Sequence, residues 1–182
     1  MNPITVHYLN VFLGTGAIVA QIVCAIALFL LFFTKTKNVF LDFLNKHFLL
    51  LGFLLSLSAW SILIYSEIIH FIPCYLCWWQ RVFMFPLVFI FGVAFWEKDR
   101  KVIKYILPLA SLGFYVAAYQ SFFYYFGETS SLPCDASGVS CYQRLISEFG
   151  GYISITMLSL TAFLVVLTLL AVGHFYGKNK ID

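Results

Sequence analysis

Two pairs of cysteines are the residues of this chain best suited to chemistry. Cys74 and Cys77 form a C-x-x-C pair within Pro73-Cys74-Tyr75-Leu76-Cys77-Trp78-Trp79-Gln80-Arg81, and Cys134 and Cys141 form a second pair in the polar stretch 127–141. Paired cysteines pass electrons by making and breaking disulfides, a thiolate attacking a disulfide sulfur through a mixed intermediate. A spacing of three makes Cys74 and Cys77 neighbours on one face if they open a helix. The N-terminus of a helix carries partial positive charge and favours a thiolate there. Arg81 follows Cys77 by four residues, one turn deeper on the same side, where its charge can stabilise that thiolate or an adjacent anion. A bare C-x-x-C equally serves as a structural disulfide or as half of a zinc site. The helix start, the membrane boundary and Arg81 favour redox chemistry. Trp, not His, follows Cys77, which argues against covalent haem attachment.

The second pair sits among Gly, Ser and Pro residues, a composition expected in an exposed loop. A disulfide closing so short a loop adds little chain-entropy stabilisation, so the pair better suits exchange with another protein's thiols. Tyr142, Leu145, Ile146 and Phe149 then recur at helical spacing, opposite Gln143, Arg144, Ser147 and Glu148. This pattern predicts a short amphipathic helix that could lie on the membrane surface; ordinary core packing would use the same pattern.

The elements that must hold these cysteines are set by composition. Of 182 residues, 62% are hydrophobic and 10% charged, with a mean hydropathy of +0.93; globular domains are about one quarter charged. Five continuous apolar runs, at about 9–33, 48–71, 78–96, 102–126 and 152–176, each approach the roughly 20 residues that span a bilayer. Their continuity favours helices over the alternating pattern of barrel strands. The fold class is therefore an all-α membrane protein. No Lys or Arg precedes the first run, so it is expected to be a retained helix rather than a cleaved signal peptide. A net charge of +3, without a basic patch interleaved with aromatics, argues against nucleic acid as a partner.

Charge gives an orientation. Lys35, Lys37 and Lys46, then Lys98, Arg100, Lys101 and Lys104, then Lys178 and Lys180 fall in alternate connections. The positive-inside rule puts those connections in the cytoplasm. The N-terminus is then outside, the C-terminus inside, and both cysteine pairs outside, where disulfides persist.

With these residues in view, the chain resembles the disulfide bond formation protein B family (DsbB and its BdbC-type relatives). The resemblance is carried by the stretch from Tyr65 through Pro73-Cys74-Tyr75-Leu76-Cys77-Trp78-Trp79-Gln80-Arg81, and by Phe149-Gly150-Gly151-Tyr152-Ile153-Ser154 and the residues following. It covers about residues 50–176, and the order of the pairs matches; vitamin K epoxide reductases carry their loop pair first. The resemblance implies a four-helix bundle over residues 48–182, to which residues 1–47 add an extra N-terminal helix and a cytoplasmic loop. It implies a bacterial cytoplasmic-membrane thiol oxidase whose partner is a DsbA-like, thioredoxin-fold protein. Cys134 would form the mixed disulfide with that partner. Electrons would pass to Cys74–Cys77, and Cys77 would deliver them to a quinone, ubiquinone or menaquinone, supported by Arg81. Trp78, Gln80 and Tyr119 are the further candidate quinone contacts, with Tyr115 and Gln120 nearby. The chain departs from the family in its extra helix, in Trp79 where many relatives have Tyr, and in lacking a histidine within 102–126.

Cys24, inside the first run, reads as an inert buried thiol. Glu67 sits in an apolar run two turns before Cys74, where a carboxylate is costly and often functional; a proton-handling role competes with a headgroup contact. His70 is read as interfacial. Against the oxidase stand a relay running in the reductive direction, a membrane scaffold with structural disulfides, and a four-cysteine zinc site.

Overall fold

The structure, a computed structural model, describes residues 3–33, 38–68, 74–126 and 149–176. Cys134, Cys141, the predicted amphipathic helix at 142–149 up to its last residue, His70 and the side chain of Glu67 lie outside the described residues. Five helices follow in order: α1 (Pro3–Phe33), α2 (Val39–Ile68), α3 (Tyr75–Glu97), α4 (Ile103–Phe126) and α5 (Ile155–Ala171). Each contains a stretch long and apolar enough to cross a membrane, and among the described residues there is no β-strand. The chain is an all-α, multi-pass membrane protein.

α2, α3, α4 and α5 close into a ring, each packing on its neighbours, with α2 against α5. Leu87 and Phe91 of α3, Ile106, Ala110 and Ala117 of α4, and Phe163 and Val166 of α5 are fully buried at its centre. Without a hydrophobic driving force between helices in lipid, close packing holds them, and small residues permit it. The Phe163 ring lies directly over Gly113 and the Phe91 ring over Gly52, where a Cβ would overlap either ring. α1 stands outside the ring and packs chiefly on α5. Gln21 binds it there, its Nε2 donating to Thr161 Oγ at 2.7 Å while its Oε1 accepts from the Tyr152 hydroxyl at 2.8 Å.

Two boundaries differ from the expectation. α2 starts at Val39, not near residue 48, because Asn38 caps it: Asn38 Oδ1 accepts from the Phe40 N–H at 3.0 Å. The polar residues Asp42, Asn45 and Lys46 extend the helix beyond its apolar run, so a division between 47 and 48 falls inside α2. α5 starts at Ile155, capped by Ser154, whose Oγ accepts from the Met157 N–H at 3.2 Å; it ends in a π turn, Val172–Tyr176.

That π turn has a partner that charge counting alone does not reveal. Arg100 opens the 3-10 turn before α4 and donates from Nη2 to the Gly173 carbonyl at 3.2 Å and to Asn45 Oδ1 at 2.5 Å. Its Nη1 reaches the Asn45 carbonyl at 3.3 Å, and its guanidinium lies 4.7 Å over the Phe48 ring. Arg100 thus clamps α2, the start of α4 and the end of α5 at one end of the bundle.

Candidate redox site

Cys74 and Cys77 stand at the start of α3, as their spacing predicts. Cys74 is the N-cap residue, extended at φ −72° and ψ 169°, and its carbonyl accepts from the Trp78 N–H at 3.1 Å. Cys77 lies in the first turn, where N–H groups have no intrahelical acceptor. The two sulfurs are 2.9 Å apart in hydrogen-bond contact. Cys74 is 5% exposed, whereas Cys77 is partly open. The Cys74 thiol is pushed above the ordinary thiol range, first by its hydrogen bond with Cys77 and then by burial. It is the cysteine that keeps its proton.

α4 supplies the rest of the sulfur environment. Gln120 is 2% exposed, and its Nε2 lies 3.4 Å from the Cys74 sulfur and 3.7 Å from that of Cys77. Its Oε1 accepts from Gln80 Nε2 at 2.7 Å. Gln80, 7% exposed, belongs to the second turn of α3, so the two amides join α3 to α4 directly beneath the cysteines.

Arg81 is buried, 5% exposed, with its guanidinium carbon 4.9 Å from the centre of the Trp78 ring. Trp78 is half exposed, and Tyr75, Trp79 and Phe83 continue an aromatic edge along α3. Of the remaining candidates, Tyr119 is half exposed and tilts against Phe123, and Tyr115 is exposed. Gln120, beside Tyr119, is the α4 side chain that reaches the sulfurs. Cys24 is buried where α1 packs on α5, beside Thr168. Among the described residues no three His, Cys, Asp or Glu side chains gather as a metal site.

Sequence reading did not find the hydroxyl cluster at the start of α5. The Tyr125 hydroxyl donates to the Tyr152 carbonyl at 2.5 Å and meets Ser154 Oγ at 3.0 Å, and Ser154 Oγ meets Thr156 Oγ at 2.8 Å. The cluster ties α4 to the turn Phe149–Gly151, where Gly150 adopts φ 69°, a conformation suited to glycine. Its signal in the sequence is the alternation of Tyr152, Ser154 and Thr156 with Ile153 and Ile155 at the opening of an apolar segment.

A paired thiol site at a helix start, inside a membrane bundle, defines a membrane dithiol protein. The family described as Disulfide bond formation protein DsbB matches residues 45–173, and the chain belongs to that family. The chain is 37% identical over 139 residues to the probable disulfide formation protein C 2 of Bacillus anthracis, covering 75% of this chain and 98% of that one. It is 43% identical over 110 residues to the disulfide bond formation protein C of Bacillus subtilis, covering 58% and 75%. A probable disulfide formation protein of Deinococcus radiodurans is 36% identical over 131 residues, covering 68% and 86%. No solved structure matches the chain. The family match excludes α1 and begins in the second turn of α2.

Proposed function

We propose that this protein is a thiol oxidase that takes electrons from a thioredoxin-like thiol protein outside the cytoplasm and passes them, through its two cysteine pairs, to a membrane quinone. The observation that supports this reading best is the asymmetry of the first pair: Cys74 is buried at the N-cap of α3, while Cys77 is partly exposed in the first turn, one helical turn from the buried Arg81.

In this reading the reduced partner attacks the Cys134–Cys141 disulfide at Cys134. A mixed disulfide forms, and the partner's second thiol then displaces Cys134, leaving the partner oxidised and the loop pair as two thiols. The loop thiols reduce the Cys74–Cys77 disulfide by the same exchange, which restores Cys134–Cys141. The positive-inside distribution of Lys and Arg supports an orientation with both pairs on the outer face, the C-terminus in the cytoplasm and the N-terminus outside.

The residues around Cys77 fit a flat, lipid-soluble ring. Trp78 and its aromatic neighbours offer a half-exposed wall at the depth of the sulfur, and Arg81 a buried cation for an oxygen anion. Cys77, Arg81 and Trp78 would hold the quinone; Gln80 is engaged by Gln120. When bound, a quinone supplies a two-electron, two-proton acceptor that diffuses in lipid. Arg81 holds positive charge where negative charge develops, and the α3 aromatics exclude water. Residues 48–182 carry this chemistry, and α1 is an addition to it.

The partner step is tested by trapping. The parent chain, expressed with a thioredoxin-like oxidase of the same cell whose second active-site cysteine is replaced by alanine, is expected to accumulate a disulfide-linked complex through Cys134 that a reductant dissolves. A complex formed instead through Cys77, or none with any such partner, would contradict the order of the relay.

A further inference from the structure

We propose that Gln120, held in one orientation by Gln80, is a positioning residue that stabilises the reduced Cys74–Cys77 pair and so makes that pair a stronger electron acceptor. The inference deepens the oxidase reading and rests on it for its purpose, though not for its test.

Three observations carry it. Gln120 directs its amide nitrogen at both sulfurs, at 3.4 and 3.7 Å. The amide is oriented: Gln80 donates to its oxygen at 2.7 Å, so its N–H groups, not its carbonyl, face the cysteines. Both side chains are almost fully buried in an apolar bundle, where an amide costs free energy unless bonded. A glutamine pair serving only as interhelical glue would have no need to aim its donors at sulfur.

Reduction breaks the Cys74–Cys77 bond and adds two electrons. One proton goes to Cys74, and Cys77 carries the remaining negative charge until a second proton arrives. A thiolate accepts a hydrogen bond far more strongly than a disulfide sulfur does, because charge-assisted bonds are the strong ones. Donors fixed at the sulfurs therefore favour the reduced pair. A dithiol couple whose reduced form is stabilised is a strong oxidant. That is what the second station of an outward-facing relay needs, since it must draw electrons from a loop pair that has itself oxidised a partner. The same fixed amide spans both sulfurs, so it can follow the charge from one to the other during exchange.

The test is the redox equilibrium of this pair without any quinone. In a Cys134→Ala, Cys141→Ala background, purified protein is equilibrated across a series of thiol–disulfide buffers, and the oxidised fraction is read by alkylation and mass. Gln120→Met keeps the volume and removes the donor. It is expected to shift the equilibrium about tenfold toward the disulfide, about 30 mV for this two-electron couple. Gln80→Met leaves the donor but frees its orientation, and is expected to shift it about threefold the same way. Protein thermal midpoints are measured alongside. A shift under twofold for Gln120→Met in a folded protein, or a shift toward the dithiol, would overturn the proposal. If Gln120→Met does not fold, Gln80→Met decides by direction: a shift of at least twofold toward the disulfide supports it, and anything less overturns it. Failure of the oxidase reading shows elsewhere, as absent quinone turnover by the parent protein, and leaves this equilibrium untouched.

Discussion

The chemistry of this chain turns on an inequality between two residues three apart. Cys74 caps α3 and is buried, and its hydrogen bond with Cys77 and its burial push its thiol above the usual range; Cys77 sits in the first turn and is partly exposed. In the reduced protein, iodoacetamide should therefore modify Cys77 well ahead of Cys74. Raising the pH from 7 to 9 should not recruit Cys74, because a thiol held above its usual range stays protonated through that window. Peptide mapping by mass checks both, and equal labelling would contradict the asymmetry. The spacing of the cysteines, the helix start and the position of Arg81 were legible in the sequence because each is local. The Gln80–Gln120 bond was not. Its partners are forty residues apart, and their meeting depends on the register in which α3 packs on α4. A glutamine in an apolar run was a signal, but it did not say what the amide faces, and the sequence favours Tyr119 next to it as the candidate contact.

Helix count and order followed from continuous apolar runs, since a membrane leaves the backbone few alternatives. Helix ends followed less well. The first turns of α2 interrupt buried Leu41, Leu44 and Phe48 with Asp42, Asn45 and Lys46, and the Asn38 cap with the Asn45–Arg100 contact fixes where the helix begins. The same Arg100 was read only as one more cytoplasmic cation. Its three hydrogen bonds and its ring contact predict that Arg100→Ala destabilises the bundle by about 2 kcal/mol, with Asn45 left unpaired. Arg100→Lys should recover little, because an ammonium cannot fork to Asn45 and Gly173 together. Unfolding followed by cysteine accessibility in detergent measures both; full recovery by Lys would mean that charge alone matters. At the ring centre, Gly113→Val should cost about 3 kcal/mol by driving Phe163 from its seat between α4 and α5. Gln21→Leu, at the α1–α5 contact, should cost only about 0.6 kcal/mol per lost bond.

As a whole, the molecule is a four-helix ring with one helix laid against its α5 side, and the chemistry is gathered at one end of the ring while the Arg100 clamp closes the other. In the proposed orientation the Arg100 end, with Lys98, Lys101 and Lys104, faces the cytoplasm and the cysteines face outward. In intact cells, a membrane-impermeant maleimide should label the loop cysteines after mild reduction, and should reach a Lys178→Cys substitution only after the membrane is opened. The family match stops short of α1; α1 meets the ring through Gln21, Ala27 and their neighbours on α5. The oxidase reading joins these scales, and quinone reduction by the purified protein tests it most directly. The electron donor is a reduced thioredoxin-like oxidase, compared across the parent chain, Cys77→Ser, Cys134→Ala and Arg81→Ala. Turnover by the parent, abolished by either cysteine change and kept in Arg81→Ala with a raised KM for quinone, is the expected result. A parent protein that reduces no quinone with any reduced donor, while its cysteines stay locked as disulfides or bound to zinc, would contradict it.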